Sequence, residues 1–212
     1  WSAAPSRSRV VHVRWLIQHP GFPGVFSLLV ARYNEEMDIF SHGLYGGVAF
    51  GRKSKKDYWT AFAFGLLPDL LSFGVLFAFM IGTAVWTGVW PDGPRGGPPE
   101  LASIPGYVFS LYNLTHSFVT FGAVFGLVWF FRKAPLLTMC AWPLHILVDI
   151  FTHSDEFFPT PFLWPLSDYR FDGRSWGDPT IFIPNVLLLT LLYGYWWYRR
   201  RKGNLPQQEP LT

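Results

Sequence analysis

His145-Ile146-Leu147-Val148-Asp149-Ile150-Phe151-Thr152-His153 places two imidazoles and a carboxylate at four-residue intervals inside an apolar run. On a helix, positions i, i+4 and i+8 share one face, so His145, Asp149 and His153 rise in a row while the residues between them stay apolar. Imidazole nitrogen with carboxylate oxygen is a donor set for zinc, and mixed nitrogen and oxygen sites also take iron or manganese. The triplet equally fits two packing histidines with an aspartate near a helix end, so the rest of the chain has to decide between these readings. Three further candidates lie in other apolar segments: His42, Asp69 in Leu67-Pro68-Asp69, and His116 in Thr115-His116-Ser117.

The elements that would hold these residues are lipid-like in composition. Of 212 residues, 50% are hydrophobic, 19% aromatic and only 15% charged, which is poor material for a soluble surface and good material for lipid. The length suits one domain. The net charge of +3 is concentrated in Arg52 to Lys56, Arg132-Lys133 and Arg199 to Lys202, between long apolar segments. A nucleic-acid groove needs basic residues spread over a polar face, so nucleic acid is excluded as a partner and membrane orientation accounts for the runs. Cys140, the single cysteine, leaves no intrachain disulfide and reads as a small packing residue.

The predicted fold is all-α, a polytopic transmembrane bundle of about five helices with a long outward-facing loop before the last. Residues 1–31, with Arg7, Arg9, His12 and Arg14, read as a basic N-terminal arm, surface-lying or disordered, without a signal-peptide pattern. Residues 32–198 read as the transmembrane helical domain with a buried His/Asp centre, and 199–212 as a basic stop with a disordered tail. Within the domain, spans are expected over 32–50, 59–90, 104–131, 135–151 and 181–198, joined by a Pro/Gly-rich loop at 91–99 and a polar loop at 153–180. Pro68 is expected to kink its helix, and the Thr115 region is a second candidate interruption. Ser117 is expected to bond a local carbonyl. Trp164 and Trp176 are expected to anchor the long loop at the interface, with Asp168, Arg170, Asp172, Arg174 and Asp178 as a paired, solvated surface.

The positive-inside rule places the basic runs, and with them the C-terminus, on the cytoplasmic side. Counted from the nearest basic group at 1.5 Å per residue, His42 lies roughly 15 Å deep, His145 roughly 18 Å, Asp69 roughly 20 Å, and His116 and Asp149 roughly 24 Å. His153 falls near the outer boundary. Each such residue costs roughly 2.5 to 3.5 kcal/mol at the centre of a span when unpaired. Similar depth on four helices therefore points to one shared polar or metal centre.

Asp38 with His42, Leu67-Pro68-Asp69, Thr115-His116-Ser117, His145-x-x-x-Asp149 and Phe162-Leu163-Trp164-Pro165-Leu166-Ser167 together resemble the family of prokaryotic inner-membrane, metal-dependent hydrolase-like proteins of the YdjM type, domain of unknown function 457. The likeness covers roughly residues 38 to 170. By resemblance the family's polar set falls on His42, Asp69, His116, His145 and Asp149. The chain departs from the pattern at Leu70, Leu71 and Ser72, where a second acidic residue is common, and at Tyr112, Asn113 and Leu114, where a His-Arg pair is common. The loss of these groups implies a mononuclear site, or one that no longer turns over.

The resulting expectation is a membrane-embedded, divalent-metal-dependent hydrolase acting on a phospholipid or other lipid-linked phosphate ester. His42, His116, His145 and Asp149 are the preferred metal ligands, with Asp69 a further ligand or an orienting carboxylate. Zinc is preferred, with manganese or iron as alternatives. Asp69 or Asp149 is the general base, and His153 the proton donor or substrate contact. A phosphate loop, a Gly-x-Ser-x-Gly elbow and a dinucleotide glycine pattern are absent from the sequence. The competing reading is a non-catalytic structural or accessory subunit of a larger membrane complex or homo-oligomer that keeps the buried site. A transporter would require repeated broken helices, and the sequence has no convincing duplication. The expected setting is a prokaryotic plasma membrane with lipid as the partner.

Overall fold

Glycines decide how the first two helices meet. The computed structural model describes residues 39–88 and 104–203. The expected N-terminal arm, Asp38, the start of the first span, the Pro/Gly-rich loop and the tail after Gly203 lie outside the described residues. Helix α1, Ile39–Phe50, carries Gly43, Gly46 and Gly47 on its buried side. After a short turn Ser54 caps helix α2, Lys55–Thr87, by accepting from the Asp57 N–H at 3.0 Å. A Cβ on Gly46 would fall 2.7 Å from the Ala61 carbonyl oxygen, and one on Gly65 would fall 2.4 Å from that of His42. Lacking side chains there, the two backbones touch, as small residues permit between membrane helices. His42 and Asp69 are thereby held on adjoining helices.

Helix α2 has 33 residues and contains an 18-residue stretch of mean hydropathy 2.0, and it continues through Pro68 before a left-handed Gly88 ends it. The next expected span, 104–131, is not one helix. It is α3, Gly106–Thr115, and α4, Phe118–Arg132, bent by 61° at the break between them. The break is stable because other parts of the chain take up its freed polar groups. Trp142 Nε1 donates to the Thr115 carbonyl at 2.7 Å, and Phe118 N donates to the Phe162 carbonyl at 2.9 Å. Ser117 Oγ accepts from the Val119 and Thr120 N–H groups as the cap of α4. It also donates to the Trp164 carbonyl, so its carbonyl partner is 47 residues away rather than local. Irregular backbone in an apolar setting persists only where protein satisfies it in this way.

A 3-10 turn, Leu137–Cys140, leads into helix α5, Ala141–Thr152, and the last described element is helix α6, Pro179–Gly203, which runs through the basic residues Arg199 to Lys202. The described residues form an all-α fold. Helices α2 and α6 are long and apolar enough to cross a membrane, and the bent pair α3 and α4 makes a third if counted as one span. The segment Leu137–Thr152 is apolar but shorter.

Side-chain exposure matches a lipid-facing surface. No residue of α4 is buried, although Leu127, Phe130 and Phe131 all lie on it. Helix α6 is attached by polar clips: Asn185 Nδ2 donates to Ser41 Oγ at 2.9 Å, Tyr45 donates to Asn185 Oδ1 at 2.7 Å, and Tyr193 donates to the Leu44 carbonyl at 2.9 Å. At its basic end Arg200 lies over Trp196 and Arg201 over Trp197, a cation–π pairing suited to an interface.

The connection between α5 and α6 does more than cover the bundle with solvated charge. Its outer part is exposed, with Arg174 3.9 Å from Asp178 and Asp172 accepting from the Asp155 N–H. Its inner part returns to the core. Phe158 packs with Phe73, Ile104, Val108 and Tyr112, and Tyr112 donates to the Phe158 carbonyl at 2.9 Å. Trp176, expected as an interfacial anchor, is instead buried, with its ring edge on His42 at 5.4 Å. Gly173 allows the connection to close over the end of α5. Gly173 N and Arg174 N donate to the carbonyls of His153 and Phe151, and a Cβ on Gly173 would collide with both.

Candidate metal centre

Three parts of the chain deliver one group of donor atoms. Asp69 comes from α2, one turn after Gly65, and His116 from the break between α3 and α4. His145 and Asp149 come from one face of α5, as their four-residue spacing requires. One ligand atom from each of these four residues lies within 4.8 Å of the others. Their relative exposure is 2% for Asp69, 0% for His116, 1% for His145 and 0% for Asp149. A buried set of this kind requires neutralisation from within, because isolated ionised groups are not tolerated in an apolar interior.

The imidazoles are oriented by backbone carbonyls. His145 Nδ1 lies 2.7 Å from the Gly65 oxygen, and His116 Nδ1 lies 3.1 Å from the Tyr112 oxygen and 3.0 Å from Thr115 Oγ1. A carbonyl only accepts, so each Nδ1 donates outward and each Nε2 faces the centre, where a neutral ring offers a lone pair. The Tyr112 ring stacks on His116 at 3.8 Å and fixes its plane. The outer hydrogen bond of each ring thus sets which nitrogen faces the centre, the arrangement that metal-ligating histidines use.

The inward atoms crowd one another. His145 Nε2 is 3.1 Å from His116 Nε2 and 3.0 Å from Asp149 Oδ2. His116 Nε2 is 3.4 Å from Asp149 Oδ2 and 3.3 Å from Asp69 Oδ1, and His145 Nε2 is 3.7 Å from Asp69 Oδ1. Atoms that each sit about 2.0–2.2 Å from one ion stand about 2.8–3.6 Å apart as neighbours in octahedral or tetrahedral coordination. Both Asp149 oxygens and Asp69 Oδ2 are buried without a hydrogen-bond partner. Converging Nε2 atoms, orphaned carboxylate oxygens and ligand-like spacings together fit a divalent cation. The donor set of two imidazoles and two carboxylates is compatible with zinc, manganese or iron.

The other two expected site residues lie beside this group. His42 approaches Asp149 Oδ1 at 3.0 Å through Nε2 and lies against the His145 ring, tilted by 32° with centroids 3.8 Å apart, but it stands outside the four-atom group. His153 does not continue the helical row, because α5 ends at Thr152 and His153 has extended backbone, φ −112° and ψ 145°. Its Nδ1 still lies 3.6 Å from Asp149 Oδ1, and it is buried rather than at the outer surface. Sequence reasoning missed the Gly65 carbonyl, the Tyr112 ring and Trp176. The first acts through its backbone and the others through contacts distant in the chain, so spacing offers no signal for them. Comparison with models of protein families, with curated proteins and with solved structures finds no match to this chain.

Proposed function

We propose that the protein is a membrane-embedded, divalent-metal-dependent hydrolase of the YdjM type, spanning a prokaryotic plasma membrane with about five helices and a cytoplasmic C-terminus. One observation supports this most strongly: Asp69, His116, His145 and Asp149 bring crowded, inward-facing donor atoms together in an otherwise apolar bundle. In this reading His116, His145 and Asp149 hold the ion, zinc in preference to manganese or iron, with Asp69 Oδ1 beside them and His42 supporting Asp149. A divalent ion at such a site supplies Lewis acidity and makes a water molecule easier to deprotonate.

The remaining steps belong to the protein's own side chains. Asp69 Oδ2, buried and without a partner, is placed to accept the proton of an attacking water. His153, with both ring nitrogens unpartnered, is placed to give a proton to the leaving oxygen. The lipid-facing character of α4 favours a substrate drawn from the bilayer, a phospholipid or another lipid-linked phosphate ester. Near-complete burial of the ligands favours a second reading, a closed metal site in a structural or accessory subunit of a larger membrane complex or homo-oligomer.

Reconstitution in phospholipid vesicles separates the two. Metal-loaded protein is expected to release phosphate or headgroup from lipid phosphate esters, with the rate falling about 10²–10⁴-fold in Asp69→Asn while bound metal is retained. Metal-loaded, folded protein that hydrolyses no lipid phosphate ester would overturn the enzymatic reading.

A further inference from the structure

The two oxygens of Asp149 face different imidazoles. Oδ2 is directed at His145 and His116, at 3.0 Å and 3.4 Å. Oδ1 is directed at His42 Nε2, at 3.0 Å, and at His153 Nδ1, at 3.6 Å. This second trio is assembled from α1, α5 and the residue after α5, and its side chains are 1%, 0% and 5% exposed. Neither nitrogen of His153 has a hydrogen-bond partner, nor does His42 Nδ1 or Asp149 Oδ1. Histidines buried only for packing would be expected to bond a carbonyl or hydroxyl, as His145 and His116 do. Here the approaches of 3.0 Å and 3.6 Å lack hydrogen-bond geometry, so these buried polar atoms are left to be satisfied by something else.

We propose that His42, Asp149 Oδ1 and His153 form a second divalent-cation position, with Asp149 as the carboxylate that bridges it to the first. The proposal rests on the metal-centre reading above and deepens it; it replaces the single-ion site that Leu70 and Asn113 imply, and it makes His153 a ligand in place of the proton donor. Two nitrogens and one oxygen leave coordination positions open for water or a ligand. Ions sharing a carboxylate in two-metal sites stand about 3.5–4 Å apart, a spacing that clamps the oxygens of a phosphate ester. The position is supported from outside. The Trp176 edge packs on His42, and Gly173 and Arg174 hold the backbone at the end of α5 from which His153 projects. Trp176 Nε1 is itself buried without a partner and, as a donor only, is suited to an anion rather than to the cation.

The test counts ions. The full chain, purified in detergent, is stripped with a chelator and dialysed against manganese(II). Bound manganese is measured by plasma mass spectrometry and its coupling by electron paramagnetic resonance. Two equivalents are expected in the unaltered protein, with an exchange-coupled signal, and one equivalent with an isolated six-line signal in both His42→Ala and His153→Ala. One equivalent in the unaltered protein, or two retained in both variants, overturns the second position while leaving the first intact. No bound manganese removes the first ion and this inference with it. The count on the unaltered protein does not depend on either variant folding, and the variants alter different segments, so one folded variant suffices.

Discussion

Replacing Gly65 with alanine tests whether helix contact and site geometry are one construction. The added Cβ would lie 2.4 Å from the His42 carbonyl oxygen, 2.9 Å from its carbon and 3.0 Å from Gly43 Cα. All three are backbone atoms, so no side chain can rotate away. Restoring ordinary contact requires α1 and α2 to separate by about 1 Å, and overpacking of this kind costs about 1–3 kcal/mol. The same movement carries His42 away from Asp149, now 3.0 Å distant, and disturbs the Gly65 carbonyl that orients His145 at 2.7 Å. Loss of such an outer contact weakens metal binding about 10–100-fold. Gly82→Ala on the same helix is the control, since a Cβ there meets nothing within 4 Å and should stabilise the helix by about 0.5–1 kcal/mol. Thermal unfolding in detergent and competition for bound metal read both effects. The reasoning fails if Gly65→Ala melts and binds metal as Gly82→Ala does.

Three further outcomes follow from contacts away from the centre. Ser117→Ala removes the cap of α4 and the donor to the Trp164 carbonyl, and is expected to cost about 1–4 kcal/mol in thermal unfolding; an unchanged melting temperature would show that the break does not need the hydroxyl. Asn185→Ala removes the polar clips to Ser41 and Tyr45, and should cost about 0.5–2 kcal/mol and speed proteolysis of α6, whereas unchanged proteolysis would mean that other contacts hold the helix. Asp178 lies outside the spans, and the Thr180 hydroxyl and N–H, with Arg174, hold its carboxyl below the usual range. Its capping of α6 is therefore present above the ordinary carboxylate range and lost as pH falls through the lowered value, so the Thr180 amide, which donates to the Asp178 carboxylate at 2.8 Å, should lose protection against exchange in acid, and Asp178→Asn should abolish that dependence.

Much of the site was legible because its chemistry is expensive in an apolar chain. His145 and Asp149 share a helix face by spacing alone, and the depth argument brought Asp69 and His116 to the same height. The break at Thr115 to Ser117 was harder to read. A serine cap is visible locally, but the Phe162, Trp164 and Trp142 partners that make a bend affordable in apolar surroundings are 27 to 47 residues away. His153 was read as the next step of the helical row, but α5 ends at Thr152 and the extended backbone at His153 sets its direction instead. Trp176 resembled an interfacial aromatic because nothing near it in sequence announces that its loop turns inward against His42.

Metal content is the most direct test of the central claim. Protein purified in detergent without added chelator is analysed by plasma mass spectrometry beside His116→Ala and Asp149→Ala, with folding checked by circular dichroism. The account predicts near-stoichiometric or higher zinc, manganese or iron in the unaltered protein and its loss in both folded variants. Folded, unaltered protein that stays metal-free after incubation with each of these ions would contradict it, and would leave Asp69, His116, His145 and Asp149 as a proton-linked polar core.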